Sequence, residues 1–164
     1  MANSTELNGP QAQAANATEV LAFRLGNEEF GIDIQAVREL RGYSAVTQLA
    51  EAPAYLKGVI NLRGVIVPIV DLRIKLGIGN GVYNEFTVVV VLALSEQQVG
   101  IVVDSVSDVL SLTAEQVKAP PGGANFGNAY LTGIATLDQR MLQLADLSQL
   151  LSDITAPAKL PMAA

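Results

Sequence analysis

An internal repeat restricts this chain more than any other feature, because a duplicated unit fixes architecture before any single element is assigned. Advancing the segment Val20 to Leu40 by 69 positions puts Leu25 on Leu94, Gly31 on Gly100 and Ile32 on Ile101. Ile34 then meets Val103, Val37 meets Val106, and Glu39 meets Asp108. Advancing Tyr55 to Leu76 by 75 positions puts Tyr55, Leu56, Gly58, Leu62, Asp71, Leu72 and Leu76 on identical residues. These are Tyr130, Leu131, Gly133, Leu137, Asp146, Leu147 and Leu151. The two offsets differ by six residues, so one length change in the intervening loops reconciles them. Tyr-Leu-x-Gly and Asp-Leu recurring in register point to duplication.

Both halves read alike. A strand (Leu21–Leu25; Thr87–Leu94) meets a polar turn, and a second strand follows that carries Gly31 or Gly100, where a missing Cβ suits a bulge or close backbone approach. An extended segment follows (Val37–Leu40; Val106–Leu110), then the Tyr-Leu-x-Gly corner with Gly58 or Gly133, which reads as structural. Asn61-Leu62-Arg63-Gly64 and Asp138-Gln139 supply turn chemistry between apolar runs, the mark of a hairpin. Each half closes on Asp-Leu and a short helical turn, where Asp71 or Asp146 caps helix amides. The expected fold is all-β, with the strands of each half forming a small closed barrel that leaves no free edge. A lone unit of this size buries too little surface, so the two halves should share a core.

The expected domain spans 19–154, with pseudo-repeat halves of about 19–80 and 81–154. Residues 1–18 are small and polar and read as a disordered arm, and 155–164 as a flexible tail. The longest apolar run, Val88 to Leu94, is far too short to span a bilayer, and residues 1–18 lack the features of a secretion signal. A cytoplasmic protein is therefore expected, with no direct membrane insertion. The net charge of −6 argues against nucleic acid as a partner.

Catalytic chemistry is short of parts. The chain has no His and no Cys, which removes the commonest general base, the thiol nucleophile and the softest metal ligands. Gly77-Ile78-Gly79-Asn80-Gly81 lacks the spacing of a dinucleotide loop and any Gly-Lys-Ser/Thr, and it precedes a strand, so it reads as a loop between the halves. Asp104 and Asp108 make a weak carboxylate pair, equally explained by an exposed polar face. No enzyme activity and no cofactor is expected.

Phe30-Gly31-Ile32-Asp33-Ile34, Arg41-Gly42-Tyr43 and the run from Lys57 to Arg73, with its Asn-Leu-Arg-Gly-x-x-x-Pro-x-x-Asp core, resemble the conserved core of the CheW coupling proteins. So do Gly100-Ile101-Val102-Val103-Asp104, Val109-Leu110 and Tyr130-Leu131-Thr132-Gly133. The resemblance covers about residues 19–152 and implies two intertwined five-stranded SH3-like barrels with short helical turns. It also implies a non-catalytic adaptor coupling chemoreceptors, through their cytoplasmic tips, to the regulatory domain of the histidine kinase CheA in the membrane-associated receptor array. The glycine-rich stretch Pro120 to Gly127 departs from the family pattern. Alternatives are a free-standing SH3-like peptide-binding or structural module, or a fragment resembling the CheA regulatory domain.

By that resemblance Arg63, at a hairpin tip, becomes a partner-binding residue. Val37 and Glu39 fall on a segment assigned to receptor or kinase contact, and their alternation would turn both to one side. A core role competes for Val37. Val109 is a further receptor-contact candidate in the matched segment of the second half. Residues 1–75 hold seven basic and eight acidic side chains, and residues 76–164 hold three and eight. Arg38, Lys57 and Arg63 align with Ser107, Thr132 and Asp138, so like frames carry unlike surfaces. Two related but unequal faces suit head-to-tail contacts that close into rings, with Arg38 and Lys57 on the basic face.

Overall fold

The computed structural model describes residues 18–78, 82–94, 97–120 and 130–155. The expected arm up to residue 17, the tail from 156, residues 79–81 of the loop between the halves and residues 121–127 of the glycine-rich stretch lie outside the described residues.

Each half opens with an antiparallel hairpin, β1 (Thr18–Leu25) with β2 (Glu28–Asp33), and β6 (Val88–Leu94) with β7 (Gln97–Val103). An extended strand follows, β3 (Val37–Gly42) or β8 (Ser105–Leu112). A second hairpin comes next, β4 (Leu56–Leu62) with β5 (Val65–Asp71), and β10 (Leu131–Leu137) with β11 (Arg140–Ala145). Short helices α1 (Leu72–Leu76) and α2 (Leu147–Leu150) follow these hairpins, and α3 (Ser152–Thr155) follows α2. Asp71 and Asp146 cap them, each carboxylate accepting at 3.0 Å from the amide two residues on.

The halves are interlaced rather than side by side. One sheet runs β8-β1-β2-β11-β10-β9, with β9 the two-residue strand Val117–Lys118, and the other runs β3-β6-β7-β5-β4. Each sheet therefore takes strands from both halves. Among the described residues the only parallel pairings are β11 on β2 and β5 on β7. Gly31 faces Leu144 in the first and Gly100 faces Ile69 in the second, the same pair of positions under the two repeat offsets. A Cβ on Gly31 would lie 3.0 Å from Leu144 Cδ2, and one on Gly100 would lie 2.7 Å from Ile69 Cδ1.

Both hydrogen-bonded ladders are open, which corrects the expectation of closed barrels. Their ends are instead joined by the chain itself. β8 runs through a 3-10 turn (Ala114–Gln116) into β9, at the far edge of the same sheet. After β3 the chain returns to the opposite edge, where Thr47 and Val59 exchange two backbone hydrogen bonds of 2.9 and 2.8 Å. The fold is thus SH3-like in its strand arrangement.

Central strands bury both faces, which is why Val88 to Leu94 is an unbroken apolar run. On β6, Val90, Leu92 and Leu94 join a core shared by both halves, while Val89 and Val91 join a second cluster with Leu62, Val67, Ile69 and Val102. On β1, Leu21, Phe23 and Leu25 enter the shared core, and Val20 and Ala22 a third cluster with Leu112, Ala135 and Leu142. Phe23 and Phe30 stack within the shared core at 5.8 Å.

Candidate functional site: an ion-paired outer surface

Glu39 and Arg63 lie 24 residues apart in sequence and are brought together in space. Arg63 Nη2 donates to Glu39 Oε1 at 2.7 Å, and Arg41 Nη1 donates to Glu39 Oε2 at 3.1 Å. The two arginines hold the Glu39 carboxyl below the usual carboxylate range. Arg63 occupies a tight turn with φ 52° followed by Gly64 at φ 91°, a pair of positive angles that suits a two-residue hairpin loop. Its side chain stays 71% exposed, so its outer edge is free for a second acceptor.

The expected shared orientation of Val37 and Glu39 is not found. Val37 pairs with Leu92 and Glu39 with the very next residue, Val91, so β3 carries a bulge at Arg38. Paired residues share a face, and Leu92 and Val91 point oppositely. Val37 therefore packs against the shared core, as the competing core reading held, and Glu39 turns to the other face. The second half repeats this irregularity: Ala22 pairs with Asp108 and Phe23 with Val106, leaving Ser107 as the extra residue. Arg38 is exposed and donates from Nη1 to Gln35 O at 3.1 Å.

Asp108, the match of Glu39, is also held by an arginine, but from a different place. Arg140 meets Glu29 through Nε and Nη2 at 3.1 and 2.7 Å, and reaches Asp108 at 3.1 and 3.2 Å. The Arg140 contact holds the Glu29 carboxyl low. Asp104 and Asp108 accordingly belong to separate ion-pair networks and form no carboxylate pair. Val109 lies on the edge strand β8 of the other sheet, 52% exposed, opposite Leu21 in register. Its match in the first half, Leu40, is exposed as well.

Lys57 is half-buried beside an aromatic pair. Its Nζ stands 5.8 Å from the Tyr83 ring, which tilts against Tyr43 at 4.4 Å. Beneath them Arg73 is fully buried, with its guanidinium 4.8 Å from the Tyr83 ring centre. Arg73 donates through Nε and Nη2 to Asp71 at 3.0 and 2.9 Å, and through Nη1 to Asp104 at 2.8 Å and Val82 O at 2.6 Å. Asp104 also accepts from the Gly26 amide at 2.7 Å, so the cluster ties the β1–β2 turn to α1 and the end of β7. Tyr83 donates its hydroxyl to Asp71. Burial opposes ionisation of Asp71, but the hydrogen bonds from Arg73 and Tyr83 outweigh it and hold the carboxyl low. Burial and the Asp71 contact push the Tyr83 phenol up.

Of the four glycines read as structural, Gly58 is the tightest: at φ 149°, a Cβ there would lie 2.2 Å from Thr47 O, inside the bridge that joins the sheet edges. Around Gly133 the nearest atoms, Lys118 O and Val117 Cγ1, stand at 3.1 Å. Sequence reasoning missed Arg41, Arg73, Tyr83 and Arg140 as charge partners. The alignment of Glu39 with Asp108 was the available signal, since a carboxylate kept at a matched position invites a search for its cation.

Two interlaced β-sheets that present aliphatic side chains and arginine-held carboxylates at their outer faces define an SH3-like β scaffold. Residues 19–155 match the family model of the CheW-like domain. The chain is 56% identical over 135 residues to chemotaxis protein CheW of Klebsiella aerogenes, covering 82% of this chain and 81% of that protein. It is 38% identical to a probable chemotaxis protein CheW of Rhizobium etli, over 85% of this chain and 91% of the relative. The crystal structure of scaffolding protein TtCheW from Thermoanaerobacter tengcongensis superposes with a TM-score of 0.77 at 28% identity, over 88% and 97% of the two chains. The chain belongs to the CheW family, a family of chemotaxis scaffolds.

Proposed function

We propose that this protein is the non-catalytic adaptor that couples the cytoplasmic tips of chemoreceptors to the regulatory domain of CheA. The observation that carries this reading is the Glu39–Arg63 pair. It holds a charged residue in a fixed pose on a hairpin tip, where the guanidinium keeps most of its surface open to a partner. A preset arginine loses less freedom on contact than an unconstrained one, and such residues recur among interface anchors. Val109, exposed on the edge strand β8, supplies apolar contact on the other sheet.

Arg38 and Lys57 add positive charge in the first half, and Val37 packs at the boundary of the shared core. The second half carries the acidic excess, which favours head-to-tail ring contacts with a domain of the same fold. Among the described residues no helix is long and apolar enough to cross a membrane, and the proposed location is cytoplasmic, at the receptor array.

Calorimetry of the full chain against a receptor cytoplasmic tip, and separately against the CheA regulatory domain, tests the proposal. Binding to both is expected, with Arg63→Asp weakening at least one while the fold is unchanged. Failure to bind either partner overturns the reading.

A further inference from the structure

The link between the halves carries an aromatic side chain that the repeat does not call for. Residues 82–86 fall between the matched segments, which end at Leu76 in the first half and resume at Val89 in the second. Phe23 and Phe30 are buried in the shared core, but Phe86 is 64% exposed, with Val82 at 50% in the same short stretch. The stretch is nonetheless held firmly. Val82 O accepts from the buried Arg73 at 2.6 Å, and Tyr83 donates its hydroxyl to the buried Asp71. Asn84 N donates to Thr87 Oγ1 at 2.9 Å, Phe86 N to Asn84 Oδ1 at 2.8 Å, and Thr87 N to Asn84 O at 3.1 Å. Thr87 itself is buried. Phe86 is therefore offered to solvent on a preset turn, and a contact through it costs little ordering of the backbone.

Beside Phe86 lies a cleft of about 410 Å³, lined also by Val82, Asn84, Thr87, Asp104 and Ser105. A projecting ring and a receiving cleft thus share one patch. An isologous contact requires this, because one surface then meets its own copy across a two-fold axis. Charge follows the same rule. Glu85 is exposed, Lys57 Nζ stands 5.8 Å from the Tyr83 ring, and neither forms an ion pair among the described residues. A two-fold axis through the aromatic stretch sets Lys57 of each copy opposite Glu85 of the other, so both pairs join opposite charges.

We propose that residues 82–87 form a self-docking surface, through which two copies of this chain associate about a two-fold axis with Phe86 of each seated in the cleft of the other. Across the axis the two rings also meet each other, a contact that adds to the apolar area buried. An unrelated partner would need only the ring or only the cleft, and nothing would then call for both signs of charge on one patch. The net charge of −6 on each copy opposes association, so the contact is weak and depends on concentration. It differs from the head-to-tail contacts above, and rests neither on them nor on coupling of receptors to the kinase.

Sedimentation equilibrium of the full chain, from about 10 μM to about 1 mM, tests the proposal. A monomer–dimer equilibrium is expected across that range, with no larger species. Phe86→Ser should weaken it at least about tenfold. Glu85→Lys and Lys57→Glu should each weaken it as well, because each sets like charges against one another. The two exchanges combined should restore it, since opposite charges then face each other again. A chain that stays monomeric throughout overturns the proposal, as does a dimer indifferent to Phe86→Ser or a double exchange that fails to restore association. Self-association lost in Arg63→Asp but kept in Phe86→Ser also overturns it, and assigns the contact to the head-to-tail mode.

Discussion

Glu39 receives Arg63 at 2.7 Å and Arg41 at 3.1 Å, so one carboxylate on a bulged strand positions a hairpin tip from the opposite edge of its sheet. The Glu39 group is solvent-facing, and pairs of this kind add little to folding stability. The pair's value lies in aim. Arg63→Ala and Glu39→Gln should each leave thermal unfolding nearly unchanged while weakening partner binding, Arg63→Ala by about tenfold. Binding isotherms and a melting curve on the same samples check both halves of that statement. A large loss of stability with intact binding would make the pair structural.

The buried cluster behaves in the opposite way. Arg73 and Asp71 side chains are 1% and 0% exposed, so removing one partner strands a charge away from water. Arg73→Leu should cost about 3–5 kcal/mol of unfolding free energy, read by denaturant titration. Arg73→Lys should recover only part, because an ammonium cannot span Asp71, Asp104 and the Val82 carbonyl together.

The same cluster sets two pH limits. The Asp71 carboxyl is held below its ordinary value of 3.8, so its contribution is complete above that value. It is lost as pH falls through the lower folded-state value, giving acid destabilisation below about pH 4. The Tyr83 phenol is raised above its ordinary value of 10.0, so its contribution is complete below pH 10 and fades as pH rises through the folded-state value. Tyr83→Phe should reduce the alkaline limb of a stability profile and also weaken the acid limb, because the Tyr83 hydroxyl is one of the donors that hold Asp71 low, while Arg73 retains the remainder.

Gly58 and Gly133 are matched positions under unequal strain. Gly58→Ala places a methyl against Thr47 O at a backbone angle that side chains rarely adopt, and should cost at least about 2 kcal/mol. Gly133→Ala meets atoms at 3.1 Å with no such angle and should cost less. Equal losses at the two sites would show that the Thr47–Val59 bridge does not govern the effect.

Interlacing predicts that residues 1–80 and 81–164 each fail to unfold cooperatively when made alone, since each lacks strands from both sheets. Co-expressed, the two pieces should associate and recover the melting transition. A cooperative transition in either piece by itself would contradict the shared core.

Much of this was legible in the sequence because duplication writes each strand twice. The Asp-Leu caps, the Arg63-Gly64 turn and the two-halved core each had a matched counterpart to confirm register. The Arg38 bulge was not legible, since an alternating pattern reads the same whether or not an extra residue is inserted, and the side-chain faces after it are reversed. Closure by chain continuity was equally hidden, because Thr47 carries no strand signal until Val59 is beside it. The ion pairs escaped for a third reason: Arg140 and Glu29 are 111 residues apart, and charge pairing across that distance depends on the swapped sheet order.

The exchange of strands between the halves has a consequence for how the molecule wears out. Proteases cut chains through segments that open while the rest stays folded. Here the hairpin β4–β5 cannot leave without uncovering β7, and β10–β11 cannot leave without uncovering β2, so opening one sheet strips the other of its shared core. Resistance to digestion should therefore follow the single global unfolding equilibrium, and the cell should clear each copy as a whole rather than trim it to a working remnant.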